Sequence, residues 1–166
     1  MKKLTIPYKP RELQKQIHDQ LKRFNVLVCH RRFGKTVLCI NEMIKKCLQN
    51  PLPNPRYYYI SPTYSISKRN CWDYLKYYTN VLPDVQYHET ELRCDLPNGG
   101  RIQLLGCERP DTLRGLYMDG CVLDEVSQMP PRLWTEIVRP ALTDREGWVI
   151  AIGTPAGHNA FFTLFD

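Results

Sequence analysis

The 166-residue chain lacks any apolar run long enough to cross a membrane. Lys2 and Lys3 open it, but no apolar stretch of signal-peptide length follows, so a soluble protein that stays inside the cell is expected. It also lacks paired cysteines. Its seven cysteines, Cys29, Cys39, Cys47, Cys71, Cys94, Cys107 and Cys121, are an odd set without C-x-x-C spacing, which argues against a zinc site or a disulfide framework. Most fall in apolar runs, where a free thiol behaves as a small buried hydrophobe. His18, His30, His88 and His158 have no metal-ligand spacing and are expected to be structural or exposed. No repeat, low-complexity tract or flexible linker interrupts the chain. Acidic residues are in deficit, 17 against 23 Lys and Arg, for a net charge of +6. The excess lies early, in Lys2, Lys3, Lys9, Arg11, Lys15, Lys22, Arg23, Arg31, Arg32 and Lys35. Such a surface suits a polyanion, although a bound triphosphate would neutralise part of it. The length fits one α/β domain and is too short for two of ordinary size.

What is present centres on Cys29-His30-Arg31-Arg32-Phe33-Gly34-Lys35-Thr36. A strand-like run, Asn25-Val26-Leu27-Val28, feeds this stretch and an amphipathic helical pattern leaves it. A loop ending in Gly-Lys-Thr at a helix N-terminus aims backbone N–H groups and the positive end of the helix dipole at phosphates. In that reading Lys35 contacts the β- and γ-phosphates of ATP and Thr36 holds Mg²⁺. The pattern departs from the usual G-x-x-x-x-G-K-[ST], because Cys29 replaces the first glycine and Arg31 and Arg32 lie inside the loop. Cys29 and His30 leave the backbone less free to approach phosphate. The alternative is a basic turn capping a core helix.

A second motif bears on that choice. Gly120-Cys121-Val122-Leu123 is a buried-strand pattern that ends in Asp124-Glu125. Asp124 is placed to bind Mg²⁺ and Glu125 to act as general base on the attacking water. An acidic pair alone is more often a turn, but its order after strand, Gly-Lys-Thr and helix is that of a P-loop ATPase.

Between and around these motifs the pattern predicts a helix from Tyr8 to Phe24 entered after Pro10, with Leu13, Ile17 and Leu21 on its buried side and Gln14 and His18 on a neighbouring face. Further helices are expected at 36–48, 65–79 and 129–142, and strands at 56–60 and 148–152. Pro51, Pro53 and Pro55 stop the 36–48 helix. Tyr57, Tyr58 and Tyr59 invite base stacking, but alternate packing on the two faces of a central strand is preferred. Residues 92–96 and 101–105 flank Pro97-Asn98-Gly99-Gly100, a β-hairpin signature. Alternation of strands and helices argues for a mainly parallel sheet.

With those residues in place the chain resembles the N-terminal ATPase domain of a tailed-bacteriophage large terminase. The resemblance rests on Pro10, Gln14 and His18, the His30–Thr36 loop, Ser61-Pro62-Thr63-Tyr64, the hairpin, Asp111-Thr112-Leu113-Arg114-Gly115, Val122-Leu123-Asp124-Glu125 and Gly153-Thr154-Pro155-Ala156-Gly157-His158-Asn159. It covers nearly the whole chain. It implies an α/β three-layer sandwich of the P-loop NTPase class, RecA-like, with a mainly parallel central sheet and a β-hairpin insertion. It implies ATP and Mg²⁺ as cofactors, and packaging of double-stranded DNA into a procapsid in the bacterial host cytoplasm. A homo-oligomeric ring on the portal protein and a small terminase subunit are the implied partners.

Residue by residue, the resemblance makes Gln14 a reader of the adenine edge and His30, Arg31, Arg32, Phe33, Gly34, Lys35 and Thr36 the phosphate loop. It makes Arg114 an arginine finger reaching a neighbouring subunit, the alternative being a surface ion pair, and Thr154 a coupling residue, the alternative being a strand-ending turn. Arg31, Arg32 and Arg114 all stay open as the trans-acting arginine. Large terminases continue into a lid and a nuclease domain, so residues 1–166 are expected to be the ATPase domain alone, apparently truncated and without nuclease activity. Two other readings stand beside this one. A helicase-like ATPase would need a second RecA-like domain, and an inactive prophage-derived fragment would bind nucleotide without turnover.

Overall fold

The structure, a computed structural model, describes residues 4–30 and 32–153. Among the described residues, seven strands form one sheet in the order β1-β7-β6-β2-β5-β4-β3. β1 (Phe24–Val28), β7 (Trp148–Gly153), β6 (Gly120–Asp124), β2 (Arg56–Ser61) and β5 (Arg101–Gly106) run parallel. β4 (Arg93–Asp95) and β3 (Gln86–His88) close the far edge antiparallel.

Burial separates the strands by position. β6 and β7 are apolar nearly throughout and buried on both faces, as inner parallel strands must be. β1 stands at one end of the sheet order among the described residues and alternates, leaving Phe24, Val26 and Val28 exposed. The three tyrosines of β2 divide as alternation requires, with Tyr57 and Tyr59 in one core layer and Tyr58 in the other.

Helices cover both faces. α2 (Lys35–Gln49) lies on the face of Tyr57 and Tyr59, and an unbroken run from Leu38 to Ile44 is buried between the sheet, α1 (Glu12–Gln20) and the α3–α4 region. That region runs through α3 (Tyr64–Ser67), a π-helical turn (Lys68–Trp72) and α4 (Asp73–Thr79), matching the single helix expected over 65–79. The other face is covered by Leu133–Val138, a π-helical stretch, and α5 (Arg139–Thr143). These join without a break into one helical run over 131–143, as expected over 129–142, and the π-helical stretch lies just before Pro140, which cannot donate a backbone hydrogen bond. The crossover from β1 to β2 and that from β6 to β7 move in opposite directions along the sheet, and right-handed crossovers therefore take opposite faces.

The expected hairpin forms, with Asp95 facing Arg101 and Gly99 at φ 82° in its turn. β5 does not stand apart from the sheet: it pairs with β2 over six residues, from Arg56 beside Arg101 to Ser61 beside Gly106. α1 differs more. It is shorter than the 8–24 span, and Leu13 is 61% exposed while Gln14 is 5% exposed. The inward face is thus Gln14, Ile17, His18 and Leu21, because polar partners on α2 and the preceding loop satisfy the buried amide and imidazole.

Candidate functional site

The glycine of Gly-Lys-Thr caps α2. Gly34 adopts φ 84°, a left-handed conformation that turns the chain from the loop into the helix, and its carbonyl accepts from Leu38 N at 3.0 Å. A methyl group there would lie 2.6 Å from Gln14 Nε2, so a side chain would strain the backbone and push the Gln14 amide aside. Phe33 N donates to His30 O at 3.0 Å, closing a turn within the loop. His30 and Arg32 are exposed, and Thr36 is half-buried in the first turn of α2. Cys29 is buried, and burial raises its thiol pKa while Lys35 pulls against that shift.

β7 lies between β1 and β6, so the loop and the Asp-Glu motif emerge two strands apart at the same sheet edge. Lys35 spans the gap. Its Nζ sits 3.2 Å from Glu125 Oε1 and 3.7 Å from Asp124 Oδ1. Asp124 is 3% exposed. Its Oδ2 accepts from the Tyr59 hydroxyl at 2.7 Å, but its Oδ1 has no hydrogen-bond partner among the described residues. Burial pushes the Tyr59 hydroxyl well above its ordinary pKa, so it stays protonated and donates. Glu125 follows at φ 53°, ψ 50°, a left-handed backbone uncommon outside glycine that turns its side chain back over the strand end.

A buried carboxylate oxygen that takes no hydrogen bond among the described residues, beside a lysine and the threonine-bearing head of α2, fits a divalent cation with its waters, since Mg²⁺ takes one or two carboxylates and keeps several waters. Thr36 and Asp124 are the residues available to it. Among the described residues, no group of three His, Cys, Asp or Glu forms a metal cluster of its own.

Gln14 reaches the loop from α1. Its Nε2 donates to Gly34 O at 3.2 Å, its Oε1 accepts from Arg11 N at 2.9 Å, and the Arg11 guanidinium donates to Phe33 O. Arg114 lies elsewhere, in an exposed network on the face of the second core layer. It pairs with Asp111 at 2.9 Å and Glu136 at 3.1 Å, and Arg132 shares both acids. Arg31 and Thr154 fall outside the described residues. The structure thus brings together Gln14, Phe33, Gly34, Lys35, Asp124 and Glu125, and leaves Arg114 away from them. Tyr59 and Arg11 carry no sign of these roles in the sequence. Tyr59 stands 65 residues before Asp124, and only the pairing of β2 with β6 makes them neighbours.

No protein-family model matches the chain. The terminase large subunit of Thermus phage G20c is 28% identical over 177 residues, which cover 95% of this chain and 36% of that protein. The chain therefore spans about a third of the length of that curated relative. The large terminase ATPase domain of Thermus phage P74-26 superposes with a TM-score of 0.81 at 26% identity, over 95% of this chain and 70% of that one. The large terminase of a thermophilic bacteriophage, solved in complex with ATP-gamma-S, has a TM-score of 0.61 at 17% identity over 80% of this chain and 32% of that one, a likeness of fold. Over nearly its whole length the chain is similar, in sequence and in fold, to the ATPase domains of phage large terminases.

Proposed function

We propose that residues 1–166 form the Mg²⁺-dependent ATP-hydrolysing domain of a large terminase, powering translocation of double-stranded DNA into a procapsid. The observation that carries this is the convergence of Lys35 with Asp124 and Glu125 across β7, where the buried Asp124 Oδ1 faces the ammonium at 3.7 Å and takes no hydrogen bond among the described residues. A basic turn that merely capped a core helix would have no reason to point its lysine at a buried acid two strands away.

In the proposed reaction water attacks the γ-phosphate. The loop His30, Arg31, Arg32, Phe33, Gly34 cradles the phosphates, and Lys35 places charge on them. Thr36 and Asp124 hold Mg²⁺, which neutralises phosphate charge when bound. Tyr59 keeps Asp124 oriented through its 2.7 Å hydrogen bond. Glu125 takes the proton from water. Lys35 pairs with Glu125 in the structure, so phosphate must draw the lysine away before the carboxylate is free to act.

Gln14 would read the adenine edge, an exchange that requires its amide to release Gly34 or Arg11. Arg114 would serve a neighbouring subunit's site in a homo-oligomeric ring on the portal protein, after leaving its acids. Thr154 would couple hydrolysis to DNA. The proposed setting is the bacterial host cytoplasm, with a small terminase subunit as partner. Among the described residues no helix is long and apolar enough to cross a membrane.

Titration with a fluorescent ATP analogue, with and without Mg²⁺, tests the reading. Saturable Mg²⁺-enhanced binding that Lys35→Ala abolishes is expected. No binding at millimolar Mg·ATP would overturn it.

A further inference from the structure

We propose that Tyr8, His18 and Glu42 form a pin that seats α1 on α2 and so holds Gln14 and Arg11 against the loop, making His18 and Glu42 positioning residues for nucleotide binding. The functional half of this proposal rests on the nucleotide-binding reading above.

Glu42 lies in the middle of α2 at 2% exposure, and a buried carboxylate is costly unless paired. His18 supplies the pair: its Nδ1 is 2.6 Å from Glu42 Oε2, with the Lys46 ammonium more distant at 3.9 Å from Oε1. The other imidazole nitrogen, Nε2, is 2.7 Å from the Tyr8 hydroxyl. An ionised carboxylate only accepts, so Nδ1 carries a proton. Nε2 then accepts from the Tyr8 O–H, or, when protonated, donates to the Tyr8 oxygen. The chain of contacts therefore closes in both charge states of His18. Burial, first among its causes, holds the Tyr8 hydroxyl pKa up at about 12, which keeps it a donor. The Tyr8 ring also meets His18 and Tyr78 of α4 edge-on, at centroid distances of 5.5 and 6.0 Å.

The pin matters because, beyond the partly buried Ile17 and Leu21, α1 has little apolar anchorage among the described residues. It is nine residues long, too short to be helical alone, and Leu13 faces water. Gln14 and His18 are one turn apart on its inward face. Their partners, Gly34 and Glu42, lie at the head of α2 and about two turns along it. α1 is thus tied to α2 at two polar points, and one of them is the loop carbonyl itself. Removing His18 strands the Glu42 carboxylate and frees the C-terminal end of α1. Gln14 and Arg11 then lose their fixed approach to Gly34 and Phe33.

Hydrogen exchange of the nucleotide-free protein and titration with ADP would be measured on the wild type, His18→Ala, His18→Gln, Gln14→Ala and the doubly substituted His18/Gln14 protein. In His18→Ala, protection across α1 and residues 33–38 is expected to fall about tenfold, while β6 and β7 keep theirs. ADP affinity is expected to fall roughly three- to tenfold, and the double variant to lose no more than the worse single one, as residues acting through each other do. His18→Gln, whose amide both donates and accepts, should recover most of each effect. Unchanged protection in α1 and the loop, or affinity losses that multiply in the double variant, would overturn the proposal. Should His18→Ala lose protection throughout the sheet, Tyr8→Phe makes the same comparison by removing only a hydroxyl. A wild type that binds no ADP would defeat the nucleotide reading, and the exchange result would still decide the pin.

Discussion

The Lys35 ammonium lies 3.2 Å from the Glu125 carboxylate, ninety residues further on and two strands across the sheet. With Asp124 Oδ1 at 3.7 Å, one lysine balances two acids at the sheet edge where the proposed reaction uses all three groups. Glu125→Gln removes the proposed proton acceptor but keeps the shape. ATP binding is expected to persist within a few fold, and turnover to fall by about 10²–10⁴, the range for loss of a general base. Rapid-quench single-turnover kinetics would show this directly.

Tyr59→Phe leaves both oxygens of a 3% exposed carboxylate without a hydrogen bond. The expected cost is about 1–3 kcal/mol of stability, read from urea unfolding. Excess Mg²⁺ should recover part of it if the cation satisfies Asp124, whereas Ca²⁺, which prefers more oxygen ligands, should do so less well.

Gly34→Ala meets a φ of 84° and a contact of 2.6 Å with Gln14 Nε2. The backbone alone should cost about 1–2 kcal/mol. Adding Gln14→Ala relieves the contact but not the backbone, so it should recover only part of the lost thermal stability. Full recovery would show that the clash, and not the left-handed turn, dominates.

Much of this is legible in the sequence, and the misses share a cause. The loop, the Asp-Glu strand end and the Asn-Gly hairpin are local patterns in which neighbouring residues share one task, so Gly34, Lys35, Asp124 and Glu125 can be singled out. The sequence marks Tyr59 as a packed tyrosine, yet its hydroxyl partner depends on β2 pairing with β6. α1 misleads because Leu13 follows helical periodicity. Apolar period decides a buried face only where the opposing surface is apolar, and here it offers Gly34 O and Glu42 instead. Strand order is not legible, since no local feature announces that β7 inserts between β1 and β6.

The seven thiols should be unreactive in the native state. All are buried, and burial raises the pKa of Cys47 and of Cys94 to about 12. Thiolates, not thiols, react, so a disulfide reagent at pH 8 should modify none of them quickly and all seven in denaturant. A higher pKa in the folded state also means that the unfolded chain loses protons first as pH rises. Stability should therefore decline above about pH 9, where unfolded thiols ionise, and thermal melts from pH 8 to 11 would show it.

Arg114 is half exposed, and its ion pairs are with exposed acids. Such networks add little to stability, so Arg114→Ala should melt with the wild type. If it acts in trans, mixing Arg114→Ala with Lys35→Ala should restore turnover that neither has alone, because each supplies the half the other lacks.

Steady-state ATP hydrolysis against protein concentration, with and without double-stranded DNA and with Lys35→Ala and Glu125→Gln alongside, bears most directly on the site. Turnover that rises more steeply than protein concentration, and that disappears in both variants, is the expected result. Turnover that survives Glu125→Gln, or absent turnover at every concentration despite intact Mg·ATP binding, would contradict the assignment of Glu125 and its neighbours as an ATP-hydrolysing centre in this chain.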